Sequence, residues 1–314
     1  MPGETSSLTP EARSPTLRHR LEYALAWIFL KSIGALPRWL ARAVGISLAW
    51  TVYLLHGKLR RVGKRNLELA LPEKSRKERA KILRGVFTSL GRHLAEVCLY
   101  RRYTRGNVSR TVVHEGFENY ERAMARGKGV LLLTAHLGAW ELAGFAQSLY
   151  QYPLRVLARR LDNPYLDRVV QDYRTRHGNQ TVDKDFARGL IAALRQGETV
   201  AVLMDTNVIA SQGVFVDFFG MQACTGTGVA RVALRTDAAV VPAFAIWDPG
   251  LGKYRLRFDP AAKLIRTGNT DADVLANTAL LTKIIEDYVR RYPDQWLWVH
   301  RRWKTRPEGE APLY

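Results

Sequence analysis

The chain has 314 residues, 47% of them hydrophobic, enough for a full core in one large domain or two small ones. Its 48 lysines and arginines against 29 acids leave a formal charge of +19, so the partners to expect are anionic: nucleic acid, an anionic membrane surface or an acidic protein. Cys98 and Cys224 are its two cysteines; both sit among apolar or small residues and fit inert thiols of a reducing compartment rather than a disulfide framework.

Residues 1–18 are rich in Pro, Ser, Thr and charge and read as a disordered N-terminus. They are not a secretory signal, because no apolar segment begins soon enough and Lys31 and Arg38 interrupt the apolar residues further along. Residues 19–110 read as a hydrophobic and basic helical region. Within it, 21–30 and 40–55 carry much Leu, Trp and Tyr between cations. That composition suits a helix pair lying in a membrane interface, and equally a buried helical hairpin. The longest uncharged run, residues 44–57, has 14 residues, short of the ~18 that a spanning helix needs. Ser75 with Glu78 is a capping box for a long helix reaching about residue 103.

From residue 111 strands and helices alternate. Strand 129–135 precedes helix 140–151, and strand 154–159 precedes a helix over 164–177. Asn163 caps that helix, Pro164 fits its first turn and Gly178 stops it. Helix 184–195 precedes strand 199–204. Thr227 caps a helix to 235, strands come next at 239–247 and 253–258, and residues 271–291 close with an amphipathic helix. The pattern predicts an α/β fold with a mixed central sheet flanked by helices over residues 111–306, with 307–314 as a flexible tail.

The chemistry-bearing feature is LLLTAHLGAWELAG, residues 131–144, where His136 comes after an apolar strand and Glu141 five positions later. On a continuous helix such a separation turns the side chains apart by about 140°. The two meet only if His136 ends the strand and Glu141 lies in the next helix's first turn. The carboxyl ends of strands are where open α/β sheets bind ligands. An imidazole there suits proton removal from a hydroxyl, and a carboxylate on its other nitrogen fixes the tautomer. A turn followed by an ordinary helix is the other reading of the same residues, and one such spacing is what chance supplies in this composition. There is no G-x-S-x-G elbow, no Walker A loop, no dinucleotide-binding glycine pattern and no metal-ligand cluster in the sequence.

Four blocks in order carry a resemblance: LLLTAHLGAWELAG, VLARRLDNPYLDRVVQDYR, GVFVDFFGMQACTGTGVARVALRT and YPDQWLWVHRRWKTRP. Together they resemble the lysophospholipid acyltransferase superfamily, in its branch of bacterial lipid A biosynthesis (late) acyltransferases, over residues 20–306. The resemblance implies a glycerol-3-phosphate acyltransferase-like fold with an N-terminal membrane-interface region. It implies an O-acyltransferase that moves a fatty acyl group from an acyl thioester, acyl-acyl carrier protein or acyl-CoA, to a hydroxyl of a lipid A precursor. The place implied is the cytoplasmic face of the bacterial inner membrane, on an anionic lipid surface, with no nucleic acid, cofactor or metal. A lysophospholipid, glycolipid or amino-acid lipid is the alternative acceptor, and a non-enzymatic basic binder the alternative of another class.

By the same resemblance His136 is the general base and Glu141 its orienting acid, with backbone N–H groups of residues 137–140 facing the oxyanion. Arg159, Asp205, Gly213, Phe215, Phe218, Phe219 and Thr227 fall at substrate-binding positions. Arg159 suits a phosphate, and the three phenylalanines an acyl channel or plain core. The chain departs from the family pattern at Arg160, Thr206, Asp217, Gly226 and Val229, which bears on the acceptor more than on the reaction. Trp296, Trp298 and Trp303 among Arg301, Arg302 and Lys304 have the composition of a membrane-interface belt.

Overall fold

The computed structural model describes residues 16–157, 161–182 and 186–314. Four helices come first: α1 (Leu17–Ala35), α2 (Arg38–Leu55), α3 (Gly57–Ala70) and α4 (Arg76–Leu99). The capping box at the head of α4 forms as expected: Ser75 Oγ accepts from Glu78 N at 3.2 Å, and Glu78 Oε2 accepts from Ser75 N at 2.8 Å. α2 crosses α4 at glycines: a Cβ on Gly45 would sit 2.4 Å from the Gly91 carbonyl oxygen, so only glycine permits this contact of two helix backbones. The crossing is locked by Glu96, fully buried on α4, which accepts from Arg42 Nε at 2.7 Å and Arg38 Nη2 at 3.3 Å and also from the Tyr103 hydroxyl. A buried carboxylate is tolerated because three donors replace its water.

The outer faces of α1 and α2 are apolar and uncovered, with Leu17, Leu21, Leu25, Ile28, Trp39, Leu54 and Leu55 exposed. Among the described residues no helix is long and apolar enough to cross a membrane.

The remainder is a seven-stranded sheet in the order β1-β9-β8-β2-β5-β3-β4, with a separate hairpin β6-β7. The strands are β1 (Val112–Glu115), β2 (Val130–Thr134), β3 (Arg155–Leu157), β4 (Gln180–Val182), β5 (Thr199–Leu203), β6 (Gly213–Phe218), β7 (Met221–Gly226), β8 (Ala239–Asp248) and β9 (Lys253–Phe258). Only β8 and β9 pair antiparallel within the large sheet, so it is mixed, as expected. Helices α5 (Phe117–Met124), α6 (Trp140–Leu149) and α7 (Pro164–Thr175) cover one face; α8 (Phe186–Arg195), α9 (Gly228–Thr236) and α10 (Thr270–Arg291) cover the other. Both faces of central strand β2 are therefore buried, Leu131 and Leu133 in one core and Val130 and Leu132 in the other, which explains its unbroken apolar run.

The hairpin was not foreseen as strands; its two-residue turn, Phe219-Gly220, has φ of 59° and 76°. Positive φ at both positions matches the twist of tight hairpins. The last residues are not free either: Leu313 and Tyr314 pack on the core, and the Tyr314 hydroxyl donates to Asn66.

Candidate active site

Strand register builds the site. β2 and β5 pair in parallel with Thr134 opposite Leu203, so two residues further His136 stands opposite Asp205. His136 Nδ1 lies 2.9 Å from Asp205 Oδ1, while Asp205 Oδ2 accepts from His136 N at 2.9 Å and Trp296 Nε1 at 2.8 Å. A carboxylate only accepts, so Nδ1 carries the proton and Nε2 keeps its lone pair. The Asp205 side chain is 2% exposed and that of His136 24%, which seals the carboxylate and leaves the imidazole reachable.

Burial pushes the imidazole pKa down, but the Asp205 charge, its hydrogen bond and the more distant Glu141 outweigh this, and the net shift is upward. Burial pushes the Asp205 pKa up; the His136 charge and the bonds from His136 and Trp296 outweigh it and hold the carboxyl below its ordinary value.

The expected bond from Glu141 to the imidazole is not formed. Glu141 does lie in the first turn of α6, but its carboxylate pairs with Arg174 of α7, Oε2 accepting from Nε at 3.1 Å and Oε1 from Nη2. The imidazole's hydrogen-bonded acid is Asp205, which the sequence placed among substrate contacts. Glu141 acts on His136 through charge alone.

The turn after His136 is fixed by its own amides. Leu137 N donates to Ala135 O, Gly138 N to Gln295 O at 2.9 Å and Ala139 N to Ala245 O at 2.9 Å. These groups are therefore committed, and the backbone donors left for an oxyanion are the first amides of α6, which no side chain caps. Gly138 has φ +63°, and a Cβ there would lie 2.0 Å from the Ala245 carbonyl oxygen, so the turn requires glycine.

An apolar cavity opens beside this turn, between α6, α7 and one face of the sheet. Trp140, Glu141 and Arg174 lie at its polar side, and Leu132, Leu157, Ala201 and Phe258 are among its walls. Trp140 separates it from the imidazole: its ring is 5.2 Å from that of His136 and 4.2 Å from that of buried His93. Neither Trp140 nor Arg174 nor His93 was singled out from sequence; nothing local marks them.

The other expected contacts scatter. Arg159 lies outside the described residues. Gly213 opens β6 against Gly226, where a Cβ would meet the Thr225 carbonyl oxygen at 2.6 Å. Phe215 is half-buried across from Cys224. Phe218 and Phe219 are core residues, packed on Trp296, Trp303 and Trp298. Gly213, Phe215, Phe218 and Phe219 do not line the apolar cavity. Thr227 precedes α9 without capping it; its hydroxyl accepts from Arg231 Nε at 3.1 Å.

The tryptophan block is likewise not a surface belt. Trp296, Trp298, Trp303 and Arg302 are all buried. Leu297 N donates to His136 O at 3.1 Å, so this segment is the floor on which the His136 turn rests. Arg302 donates to Cys224 O at 2.9 Å and to Thr225, and burial lowers its pKa to about 10.

A family model described as bacterial lipid A biosynthesis acyltransferase matches residues 11–305. The lipid A biosynthesis lauroyltransferase of Escherichia coli (strain K12) is 31% identical over 298 residues, 88% of this chain and 96% of that protein. The palmitoleoyltransferase of the same organism is 30% identical over 254 residues, 81% of each chain, and its myristoyltransferase 24% identical over 250 residues, 79% of this chain and 76% of that one. With a family match over nearly its whole length and relatives at 30–31% identity, this chain belongs to the bacterial lipid A biosynthesis acyltransferases and is an acyltransferase.

Proposed function

We propose that the enzyme transfers a fatty acyl group from an acyl thioester to a hydroxyl of a lipid A precursor, with His136 as general base and Asp205 as the residue that orients it. The observation carrying this reading is the His136–Asp205 bond at the carboxyl ends of two central strands, with Nε2 unbonded among the described residues. Nε2 takes the acceptor's proton as its oxygen attacks the thioester carbonyl. The new C–O bond gives a tetrahedral oxyanion, for which the first amides of α6 are the available backbone donors. Collapse breaks the C–S bond, and the imidazolium returns the proton to the departing thiolate. Asp205 stabilises that imidazolium and keeps the tautomer productive. The apolar cavity past Trp140 suits a hydrocarbon chain. Arg159, near the start of the second block and just before L-D-N-P, is proposed for a substrate phosphate.

His136→Ala should lower turnover by ~10²–10⁴ in a folded protein. The assay is mass spectrometry of a lipid A precursor incubated with a labelled acyl thioester. No gain of an acyl group with the wild type, or undiminished gain with His136→Ala, overturns the proposal.

The same reading places α1 and α2 at the cytoplasmic surface of the inner membrane, their exposed leucines and tryptophans entering the interface. Leu21→Glu with Leu25→Glu should reduce sedimentation with anionic lipid vesicles about tenfold or more, since two apolar anchors are replaced by charge. Unchanged sedimentation rejects that surface.

A further inference from the structure

The strongest charge imbalance lies away from the apolar faces of α1 and α2. The solvent side of α3 presents Arg61, Lys64 and Arg65, opposite a buried side of Val62, Gly63, Asn66 and Leu67. The start of α4 presents Lys77, Lys81 and Arg84, one helical face at steps of four and three. The two helices pack on each other, which brings the two stripes onto neighbouring elements. None of these six cations makes an ion pair within the described residues, whereas Arg18, Arg176, Arg255 and Arg266 elsewhere on the surface do. The exposed acids nearby, Glu68, Glu73 and Glu78, are fewer than the cations. Holding an excess of like charges together costs stability and is relieved by an anionic partner.

Exposed large apolar residues stop at Leu55, and none occurs between residues 56 and 110. A surface inserted among lipids carries apolar anchors beside its cations; this one carries none, which favours a soluble acidic partner. Its position is also informative. Asn66, on the buried side of α3, donates to Trp298 O and His300 O, and His300 Nε2 accepts from Asn207 N, two residues after Asp205. The cationic face thus stands at the catalytic end of the sheet.

Resting on the acyl-transfer reading, we infer that the exposed face of α3 and the start of α4 docks an acidic carrier protein that presents the acyl thioester. Rim charges of this kind set association rate and its salt dependence more than the chemistry.

The test compares two donors of one dodecanoyl chain, acyl-carrier protein and coenzyme A, on wild type and on Arg61→Glu/Lys64→Glu and Lys81→Glu/Arg84→Glu, with Lys128→Glu at the far end of the sheet as control. The reversals should raise KM for the carrier-protein donor about tenfold and flatten its dependence on salt between about 50 and 200 mM. The coenzyme A donor, vesicle sedimentation and the control should be unmoved. Equal KM changes for both donors, or lost vesicle binding, would assign the surface to the bilayer and overturn the inference; so would no change with either donor. Direct binding of the loaded carrier protein, measured by analytical sedimentation, needs no turnover. Binding by wild type that the reversals abolish supports docking even if acyl transfer itself fails. No binding by wild type rejects docking while leaving the His136 chemistry standing.

Discussion

Replacing Asp205 by asparagine exchanges one oxygen for an amide nitrogen, and the surroundings dictate which one. Oδ2 receives two fixed donors, the His136 amide and the Trp296 indole, whereas Oδ1 faces only the imidazole. The asparagine oxygen must take the first place, so its NH₂ points at Nδ1. Nδ1 then accepts, the ring proton moves to Nε2, and the nitrogen meant to receive the acceptor's proton is already protonated. The packing survives, so the loss falls on turnover: ~10²–10⁴-fold, or about 3–5 kcal/mol of barrier, as expected when a base is held in the wrong tautomer. The pH profile should move as well. Activity needs neutral imidazole, and the Asp205 charge raises the His136 pKa above 6.5. The acid limb of kcat/KM therefore lies above 6.5 in the wild type and falls in the variant. Asp205→Ala is the contrasting case: it strands two buried donors at ~1–3 kcal/mol each and should lower stability as well as turnover. Initial rates by mass spectrometry from acid to mildly basic pH, with nitrogen chemical shifts of the ring, read both effects. An Asp205→Asn enzyme with near-normal turnover and an unmoved acid limb would refute this account of the site.

Two other substitutions test the surroundings. His93 is buried on Trp140 and its Nδ1 has no hydrogen-bond partner; burial lowers its pKa from 6.5 to about 4. Unfolding lets it take up a proton as pH falls below 6.5, so this group removes stability progressively down to about pH 4. At about pH 5 the difference amounts to ~2 kcal/mol, which His93→Phe should remove while keeping the stack, and thermal unfolding of both proteins against pH measures it. Identical acid sensitivity would show that His93 does not carry the effect. Arg174→Met leaves Glu141 uncompensated near the imidazole. Because a free carboxylate favours imidazolium, the acid limb of the rate profile should move up, by a few tenths to about one pH unit; a limb that stays put or moves down contradicts the charge coupling of Glu141 to His136.

The sheet strands around the site were readable because buried parallel strands write themselves as apolar runs between glycines and charges, and residues 129–135, 199–204 and 239–247 coincide closely with β2, β5 and β8. What such runs do not encode is which one lies beside which. β2 neighbours β5, 69 positions away at the His136–Asp205 pair, and that adjacency selects Asp205. Spacing along the chain favoured Glu141, the acid nearest in sequence; Arg174, from another helix, decides where that carboxylate goes. The tryptophan block misled for a related reason. Aromatics among cations describe both a membrane belt and a buried floor, and composition weighs them alike. The difference lies in burial: Trp296, Trp298 and Trp303 are all enclosed by the core, and Trp296 Nε1 and Trp298 Nε1 donate inside the protein, to Asp205 and to Pro293 O. At α1 and α2 the same ambiguity meets a different observation. Their inner sides bury Ile33, Ala41 and Gly45 while Leu21, Leu25, Leu54 and Leu55 stay exposed, and this one-sided burial is the ground on which a lipid surface is proposed for them.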